Sequence, residues 1–283
     1  MVSNRLCYNP LLRFRLPVME RLTSRFVLIL LTTVAAAVMA GPAFAQAPKP
    51  TPTPASKIVL KPATAEELAE TAIFFYGSRA GLTQFRQTTQ ERGKTSITNA
   101  NGHVDQVNYQ RFVIRADELE KEKIRLDQEL PTARFSIVYN DDKIVGVFNN
   151  SVFPLREDVR KSFENQIFHG IEALLRYKEN GSTLELQPRE KVMGVDYHVL
   201  DVTDKQGRKT RFYISAKTFR VMMLTYEDEG VKYRRKFYDY NYAQGTLVPS
   251  RSVLWANDKV VEESEVLTVT YGQKVDEDLF KAS

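Results

Sequence analysis

From Leu82 to the C-terminus the sequence repeats one pattern: segments of about 6–12 residues, rich in Val, Ile, Thr, Tyr and Phe, alternate with short polar turns. The turns contain Asn, Asp and Gly, which tolerate the backbone angles of tight turns. They are Asn99–Gly102, Asn140–Asp142, Asp204–Gly207, Asp228–Gly230 and Asn257–Asp258. This spacing suits consecutive antiparallel hairpins, because a βαβ crossover needs a helix between its strands. The chain is therefore predicted to be rich in antiparallel sheet.

Within these segments, apolar residues recur at every second position. That period places them on one face of a strand and leaves the other face to polar side chains. The residues predicted to share one face are Thr210, Phe212 and Ile214 in one strand, and Leu267, Val269 and Tyr271 in another. We therefore expect a sheet with one buried face.

Two other stretches have the three- and four-residue spacing of apolar side chains that indicates an amphipathic helix. The first has Thr64 and Glu67 at capping-box spacing and ends near Gly77. The second covers residues 156–178, in the middle of the strand pattern. Its apolar stripe consists of Val159, Phe163, Ile167, Ile171, Leu174 and Leu175. Such a helix must bury its stripe against the sheet, a partner or a ligand.

The N-terminus has the three parts of a secretory signal peptide. Arg21 and Arg25 precede an uncharged apolar run over residues 26–40, which is followed by small residues up to Ala45. The run is 15 residues long, and a membrane-spanning helix needs roughly 20. We predict cleavage after Ala45, export of the chain and no transmembrane span in the mature protein. Translation starting at Met19 would give a signal of normal length.

The regions on the two sides of the predicted cleavage site differ in composition. Proline at every second position in residues 46–61 indicates an extended linker, which leaves 62–283 as the folded domain. Residues 1–45 hold five arginines and one glutamate, so removing them lowers the formal net charge from +5 to +1. They also hold Cys7, the only cysteine. The mature chain is therefore predicted to be a monomer without nucleic-acid partners, disulfides or thiol chemistry.

No motif in the sequence indicates catalysis, a metal or a cofactor. The three histidines, His103, His169 and His198, lack the spacing of zinc ligands and are interpreted as structural. There is no nucleophile elbow, P-loop or dinucleotide fingerprint. We predict that the protein is not an enzyme and needs no cofactor, although a hydrolase with carboxylates paired across strands stays open. The basic–aromatic run 232–238 is interpreted as an exposed strand or a contact for anionic lipid or polysaccharide.

Several short motifs follow one another in a fixed order. Val192–Val199 has the form V-x-G-x-x-Y-x-hydrophobic, and Phe75–Ser78 continues to Gln84–Arg86 near the start of the domain. The other landmarks are Gly207, Phe237–Tyr240, Gly245–Pro249 and the closing Val275–Phe280. In this order and spacing the chain resembles the periplasmic outer-membrane lipoprotein carriers, the lipoprotein-sorting superfamily.

The resemblance implies an α+β fold: an incomplete, half-open antiparallel β-barrel with an N-terminal helix and a mid-chain amphipathic covering helix. In that family the concave face holds acyl chains of lipoproteins or other amphiphiles. It implies a non-catalytic periplasmic binding protein or carrier, with lipid, lipoprotein acyl chains or other envelope proteins as partners. The residues expected to form the apolar trough and its cover are Phe163, Ile167, Ile171, Leu174, Phe212, Ile214, Val221 and Met223. An envelope scaffold with the same fold but no lipid is the main alternative.

Overall fold

A computed structural model describes residues 62–98, 101–130 and 133–281. The predicted signal peptide and linker lie outside the described residues, as does part of the Asn99–Gly102 turn. Among the described residues, no helix is both long enough and apolar enough to cross a membrane.

Thirteen antiparallel strands in the described part of the chain form one sheet. Their bounds are β1 Thr88–Thr98, β2 Val104–Ile114, β3 Lys123–Glu129, β4 Arg134–Asn140, β5 Lys143–Phe148, β6 Ser151–Phe153, β7 Thr183–Val192, β8 Val195–Thr203, β9 Lys209–Ser215, β10 Val221–Asp228, β11 Val231–Ala243, β12 Thr246–Ala256 and β13 Lys259–Tyr271. The helices are α1 Ala65–Phe75, α2 Arg79–Phe85, α3 Glu157–Phe168 and α4 Ile171–Leu175, with 3₁₀ turns at Leu119–Lys121 and Glu277–Phe280.

The strand order shows how the sheet is assembled. It runs β6-β5-β4-β3-β2-β1-β13-β12-β11-β10-β9-β8-β7, so two meanders meet where the first strand pairs with the last. At that junction Thr89 lies opposite Tyr271. The edge strands β6 and β7 do not pair with each other, and the sheet stays open. This confirms the predicted half-open antiparallel fold.

The predicted turns join neighbouring strands. Asp141 and Asp142 link β4 to β5, and Asn257 and Asp258 link β12 to β13, all with positive φ. Two successive residues with positive φ match the right-handed twist of a hairpin, and Asn and Asp tolerate this conformation better than most residues. The local turn chemistry therefore fixes these hairpins.

A β-bulge in β13 changes the face predicted for Leu267. Arg92 lies opposite Thr268 and Gly93 opposite Val266, so Leu267 has no partner in the ladder. An unpaired extra residue interrupts the alternation of side chains. Leu267 is 51% exposed, whereas Tyr271 is buried on the concave face. The prediction that both residues share one buried face is wrong for Leu267.

A second bulge lies at the start of β10. Val221 pairs with Ile214 and Met223 pairs with Tyr213, which leaves Met222 as the extra residue. Val221 therefore faces the concave side, and Met223 packs with Val199 and Tyr213 in a separate cluster on the convex side. Because of this bulge, only Val221 of these two predicted ligand-binding residues faces the concave side.

Gly93 lets an aromatic ring lie directly on β1. A Cβ atom at this position would overlap the backbone carbonyl oxygen of Glu265 in β13 and would stand 2.5 Å from the hydroxyl oxygen of Tyr109. We expect Gly93→Ala to displace both neighbours and lower the free energy of unfolding by about 1–3 kcal/mol. Urea denaturation checks this, with Gly102→Ala as the control, because a Cβ atom there meets nothing within 4 Å but has the strain of a positive φ. A smaller loss at Gly93 than at Gly102 would contradict the prediction.

The first helix begins and ends where the sequence predicts. Thr64 Oγ1 accepts a hydrogen bond from the Glu67 amide, and the Glu67 carboxylate accepts one from the Ala63 amide. After α1, Gly77 has φ +129. The strand pattern begins later than predicted, because Leu82 lies in α2, where Ser78 Oγ accepts from the Gly81 amide and caps the helix.

The mid-chain helix predicted over residues 156–178 is two helices. α3 ends at Phe168 and α4 begins at Ile171, with Gly170 in an extended conformation between them. Glycine stabilises a helix poorly, and the neighbouring His169 contacts Thr210 and Tyr226 of the sheet. The break lets the two halves of one apolar stripe pack against different parts of the sheet.

Two apolar clusters cover the ends of the concave face. Phe163 and Ile167 of α3 pack on β2–β4, with Val113, Leu126 and Ile137 among their neighbours. At the other end, α1 and α4 pack on β8–β12 around side chains such as Leu200, Phe212 and Leu224. The middle of the concave face, over β1 and β13, lies between these clusters.

Candidate functional site

A cavity of about 280 Å³ occupies the middle of the concave face, beneath the residues that join α3 to α4. Its walls come from β1–β3, β10–β13 and both helices. The apolar residues along the β2, β3 and helix side are Val113, Leu119, Ile124, Leu126, Ile167 and Ile171. This volume is near the lower end of the roughly 300–1,000 Å³ of small-molecule sites. The cavity therefore has room for one small ligand or one short acyl chain.

The structure brings two of the eight predicted trough residues to this cavity, Ile167 and Ile171. Phe163 is buried beside them, between α3 and β2–β4. Leu174, Phe212, Ile214 and Val221 are each 0% exposed within the packed cluster beneath α1. Met223 lies on the convex face because of the bulge at Met222. The end of the trough that the sequence predicted near β9 and β10 is filled by α1 and α4.

One end of the cavity holds a chain of buried ion pairs. Arg86 contacts Glu172 at 2.6 Å, and Arg115 bridges Glu172 and Glu122, each at 2.9 Å. Arg176 donates to Glu122 on the far side. Arg86 also donates to the Leu247 carbonyl oxygen at 3.3 Å. The chain ties α4 to β2, β12 and the loop before β3, with three guanidinium groups sharing two carboxylates.

These arginines change the ionisation of the carboxylate between them. Burial alone would raise the pKa of Glu172, but the charges and hydrogen bonds of Arg115 and Arg86 hold it below its ordinary value. Glu172 therefore stays ionised at neutral pH and anchors both arginines.

A second polar group lies on the floor of the cavity. Arg235 donates to Glu262 at 2.8 Å, and Arg111 donates to the side-chain oxygen of Gln166 at 2.8 Å. The Tyr109 hydroxyl donates to Glu91 at 2.8 Å, and burial followed by the charge of Glu91 raises the pKa of Tyr109. The floor is thus polar and fixed by hydrogen bonds, in contrast to the wholly apolar trough that the resemblance implied.

Three buried side-chain atoms, one at the end of α2 and two on β1 and β2, have no hydrogen-bond partner in the described part of the protein. They are Arg86 Nε, Thr89 Oγ1 and Arg111 Nε, and all three side chains line the cavity. Arg86 is 8% exposed and Thr89 is 7% exposed. Buried polar groups are normally satisfied, so unpaired polar atoms on side chains that line a cavity point to a place for a ligand or water.

His169 lies at the helix break, beside the cavity. Its Nδ1 is 2.7 Å from Thr210 Oγ1, and its ring stacks on Tyr226 with centroids 4.1 Å apart. Burial, followed by the nearby charge of Arg208, lowers its pKa to about 4, although Asp204 and Asp228 act in the opposite direction. The imidazole is therefore neutral in the folded protein at neutral pH.

We expect this histidine to make folding sensitive to mild acid. Its ordinary pKa is 6.5 and its folded value about 4, so between these values only the unfolded chain takes up the proton. Stability is complete above pH 6.5 and should fall by about 2 kcal/mol between pH 7.5 and 5. Burial also lowers the pKa of His198 and adds to the same trend. Urea unfolding at both pH values measures the loss.

His169→Gln, which cannot take up a proton here, should reduce this loss. His103→Gln is the matched control because His103 is an exposed histidine, with 71% of its side chain accessible. An unchanged pH dependence in His169→Gln would contradict the assignment. Burial would raise the pKa of Glu70, but hydrogen bonds from Arg79 and Lys178 lower it to about 2. Its contribution to stability is complete above about pH 4.5 and is lost only as the pH falls below that value, so Glu70 does not affect the comparison between pH 7.5 and 5.

The charged residues of the cavity were not identified from the sequence. The sequence feature that could have identified them is a charged residue at a position that, by the alternation of the strand, faces the interior. Tyr109, Arg111 and Val113 share one face of β2, and all three line the cavity. Glu122, directly before β3, is 1% exposed. In the described residues, no group of three or more His, Cys, Asp or Glu side chains is placed to hold a metal ion.

Several solved structures have a fold similar to that of this chain. An outer membrane lipoprotein-sorting protein domain from Vibrio parahaemolyticus aligns with a TM-score of 0.53 and 12% identity, over 77% of this chain and 97% of its own. A LolA superfamily protein from Nitrosomonas europaea gives 0.55 and 13%, over 78% and 98%. A DUF1329 family protein from Desulfovibrio piger gives 0.57 and 14%, over 77% and 97%.

These alignments place the chain in a class of folds. It has the LolA-like fold, an open antiparallel half-barrel with covering helices, which confirms the resemblance seen in the sequence motifs at the level of the fold. No family model matches the sequence, and no curated protein matches it.

Proposed function

We propose that this protein is a non-catalytic binding protein or carrier for an amphiphile in the cell envelope. The observation that carries the proposal is the cavity between the α3–α4 junction and the concave face, with an apolar wall that includes Ile167 and Ile171. An apolar wall opposite a few fixed polar groups is typical of small-molecule sites. The sorting-protein neighbours have the same fold, which supports a carrier role by analogy.

The proposed cellular context comes from the sequence. A signal peptide cleaved after Ala45 would export the chain to the periplasm, where the mature protein would act as a monomer with a net charge of +1. Lipid, lipoprotein acyl chains or envelope proteins are its proposed partners. The size of the cavity favours one chain over the several acyl chains of a whole lipoprotein anchor.

Native mass spectrometry of protein purified from its own envelope fraction tests this function directly. We expect a bound species with the mass of an amphiphile. In parallel, the delipidated protein should bind the neutral probe N-phenyl-1-naphthylamine at micromolar concentration. Ile171→Ala should weaken the probe about fivefold, because apolar contact with the ligand is lost. Leu186→Ala, at an exposed position of β7, is the control.

One feature favours the alternative of an envelope scaffold that uses the fold without lipid. The cavity contains Glu91, Glu122, Glu172 and Glu262 as well as four arginines, and such groups are costly to desolvate against an acyl chain. A protein that carries no amphiphile from the envelope and binds no probe would support the scaffold. Turnover of an ester panel would support the hydrolase instead.

A further inference from the structure

We infer that the cavity recognises the anionic oxygen headgroup, carboxylate or phosphate, of a single-chain amphiphile through Arg86 and Thr89. This inference rests on the proposed function and specifies the ligand of the same cavity. Arg86 Nε and Thr89 Oγ1 are both unpaired, and both side chains are more than nine-tenths buried. An anionic oxygen accepts hydrogen bonds from both atoms, whereas a hydrocarbon chain leaves both unsatisfied.

Both side chains belong to residues that adjoin Tyr271. The Arg86 guanidinium lies over the Tyr271 ring, 4.9 Å from its centroid, and Thr89 is the ladder partner of Tyr271. Glu172 and the Leu247 carbonyl oxygen bind the two terminal nitrogens of Arg86. These contacts fix the guanidinium and leave its Nε as the free donor. The donor is therefore positioned before any ligand arrives, which lowers the entropy cost of binding.

The charge of the neighbouring groups favours an anion. Arg86, Arg115 and Arg176 share only two carboxylates, Glu122 and Glu172, among the ion pairs of the described residues. Glu172 is shared by Arg86 and Arg115, so a ligand anion beside Arg86 is stabilised locally, although the cavity lining as a whole carries four glutamates and four arginines. Arg111 Nε, the third unpaired atom, lies further along the same face and adds a cationic group to the cavity.

The apolar wall begins beside these donors. Thr89 pairs with Val113 across β1 and β2, and Val113 pairs with Ile124 across β2 and β3. Both apolar side chains line the cavity, as do Leu126 and Ile167. A headgroup at Arg86 and Thr89 thus places the first carbons of a single chain against the apolar wall. The remaining volume limits the length of that chain.

Displacement of N-phenyl-1-naphthylamine by decanoate, decanol and acetate tests the inference with the mature, delipidated protein. We expect decanoate to bind at least about tenfold more tightly than decanol, since a hydrogen bond to a charged group is worth at least that factor. Acetate, which lacks the tail, should not displace the probe at the same concentration. If acetate displaced the probe as strongly as decanoate, the inference of an amphiphilic ligand would be overturned, and the cavity would be a site for free anions.

Thr89→Val separates recognition from stability. The hydroxyl has no partner to lose, so the variant should fold normally. Its decanoate affinity should fall several-fold while its decanol affinity is unchanged.

Thr95→Val is the matched control, because this threonine also lines the cavity on β1 but its hydroxyl is paired with Ser264 at 3.0 Å. An equal decanoate-to-decanol ratio in wild type and Thr89→Val would overturn the inference while leaving amphiphile binding intact. Failure of both decanoate and decanol to bind would instead overturn the proposed function.

Discussion

Replacing Glu122 by glutamine is expected to lower the free energy of unfolding by about 3–5 kcal/mol, the cost of removing one partner from a buried ion pair. Glu122 is 1% exposed and accepts hydrogen bonds from both Arg115 and Arg176. Arg115 keeps Glu172 as a partner, but Arg176 keeps only the Ala116 carbonyl oxygen among its described hydrogen bonds. The variant therefore leaves the Arg176 guanidinium without its ion-pair partner, with only the more distant charges of Glu179 and Asp117 to stabilise it. Urea denaturation at pH 7.5 measures the loss.

Glu129→Gln is the control for this experiment. Glu129 pairs with Arg134 at the surface, where the two side chains are 48% and 78% exposed. Exposed ion pairs contribute less than about 1 kcal/mol, so this variant should be close to wild type. The double variant Glu122→Gln, Arg176→Met should recover part of the stability, because it removes the uncompensated charge as well. Equal losses in the two single variants would show that burial of the Glu122 cluster has no energetic consequence.

The sequence predicts the hairpins because their determinants are local. Asp141-Asp142 and Asn257-Asp258 adopt the positive φ angles that a two-residue turn requires, and Thr64 caps the first helix as its spacing indicates. The resemblance adds the open half-barrel, which the strand order confirms. These features depend on a few neighbouring residues or on a series of motifs, and both are readable without coordinates.

The features that the sequence does not reveal depend on distant residues. Pairing of β1 with β13 joins residues about 180 positions apart in the chain, as Thr89 and Tyr271 show. At the bulges of Met222 and Leu267 the alternation of inward and outward side chains shifts by one residue. No local residue in the sequence marks either bulge. The site follows from such long-range pairing. Arg86, Arg115 and Glu172 meet only after three separate segments are assembled.

The apolar stripe of the mid-chain helices shows the same limit. Its period predicts the buried side of the helices: Phe163, Ile167, Leu174 and Leu175 are buried, whereas Val159 and Ile171 are partly exposed. It does not predict that the stripe is divided at Gly170, because a helix can pass through one glycine. Periodicity identifies a buried face, but only the packed structure distinguishes a core position from a position on a cavity.

The Phe212→Ala variant tests whether Phe212, one of the residues predicted to bind ligand, is a core residue or a cavity residue. Phe212 is 0% exposed and packs beneath α1 with Leu200 and Leu224. Its truncation should lower the free energy of unfolding by about 3–5 kcal/mol, because it removes a large buried side chain and leaves a void. The remaining folded protein should bind N-phenyl-1-naphthylamine as wild type does, since Phe212 does not line the cavity. Urea denaturation and probe titration at low denaturant measure the two quantities.

Ile171→Ala should show the opposite combination. Ile171 is partly exposed and lines the cavity, so its truncation removes less packing and more ligand contact. We expect a loss of about 1 kcal/mol in stability and a fivefold weaker probe. The two variants therefore differ in which quantity falls most: Phe212→Ala loses mainly stability and keeps its probe affinity, whereas Ile171→Ala loses little stability and binds the probe about fivefold more weakly. A probe affinity reduced in Phe212→Ala and unchanged in Ile171→Ala would move the binding site to the cluster around Phe212, one of the residues that the sequence predicted to bind ligand.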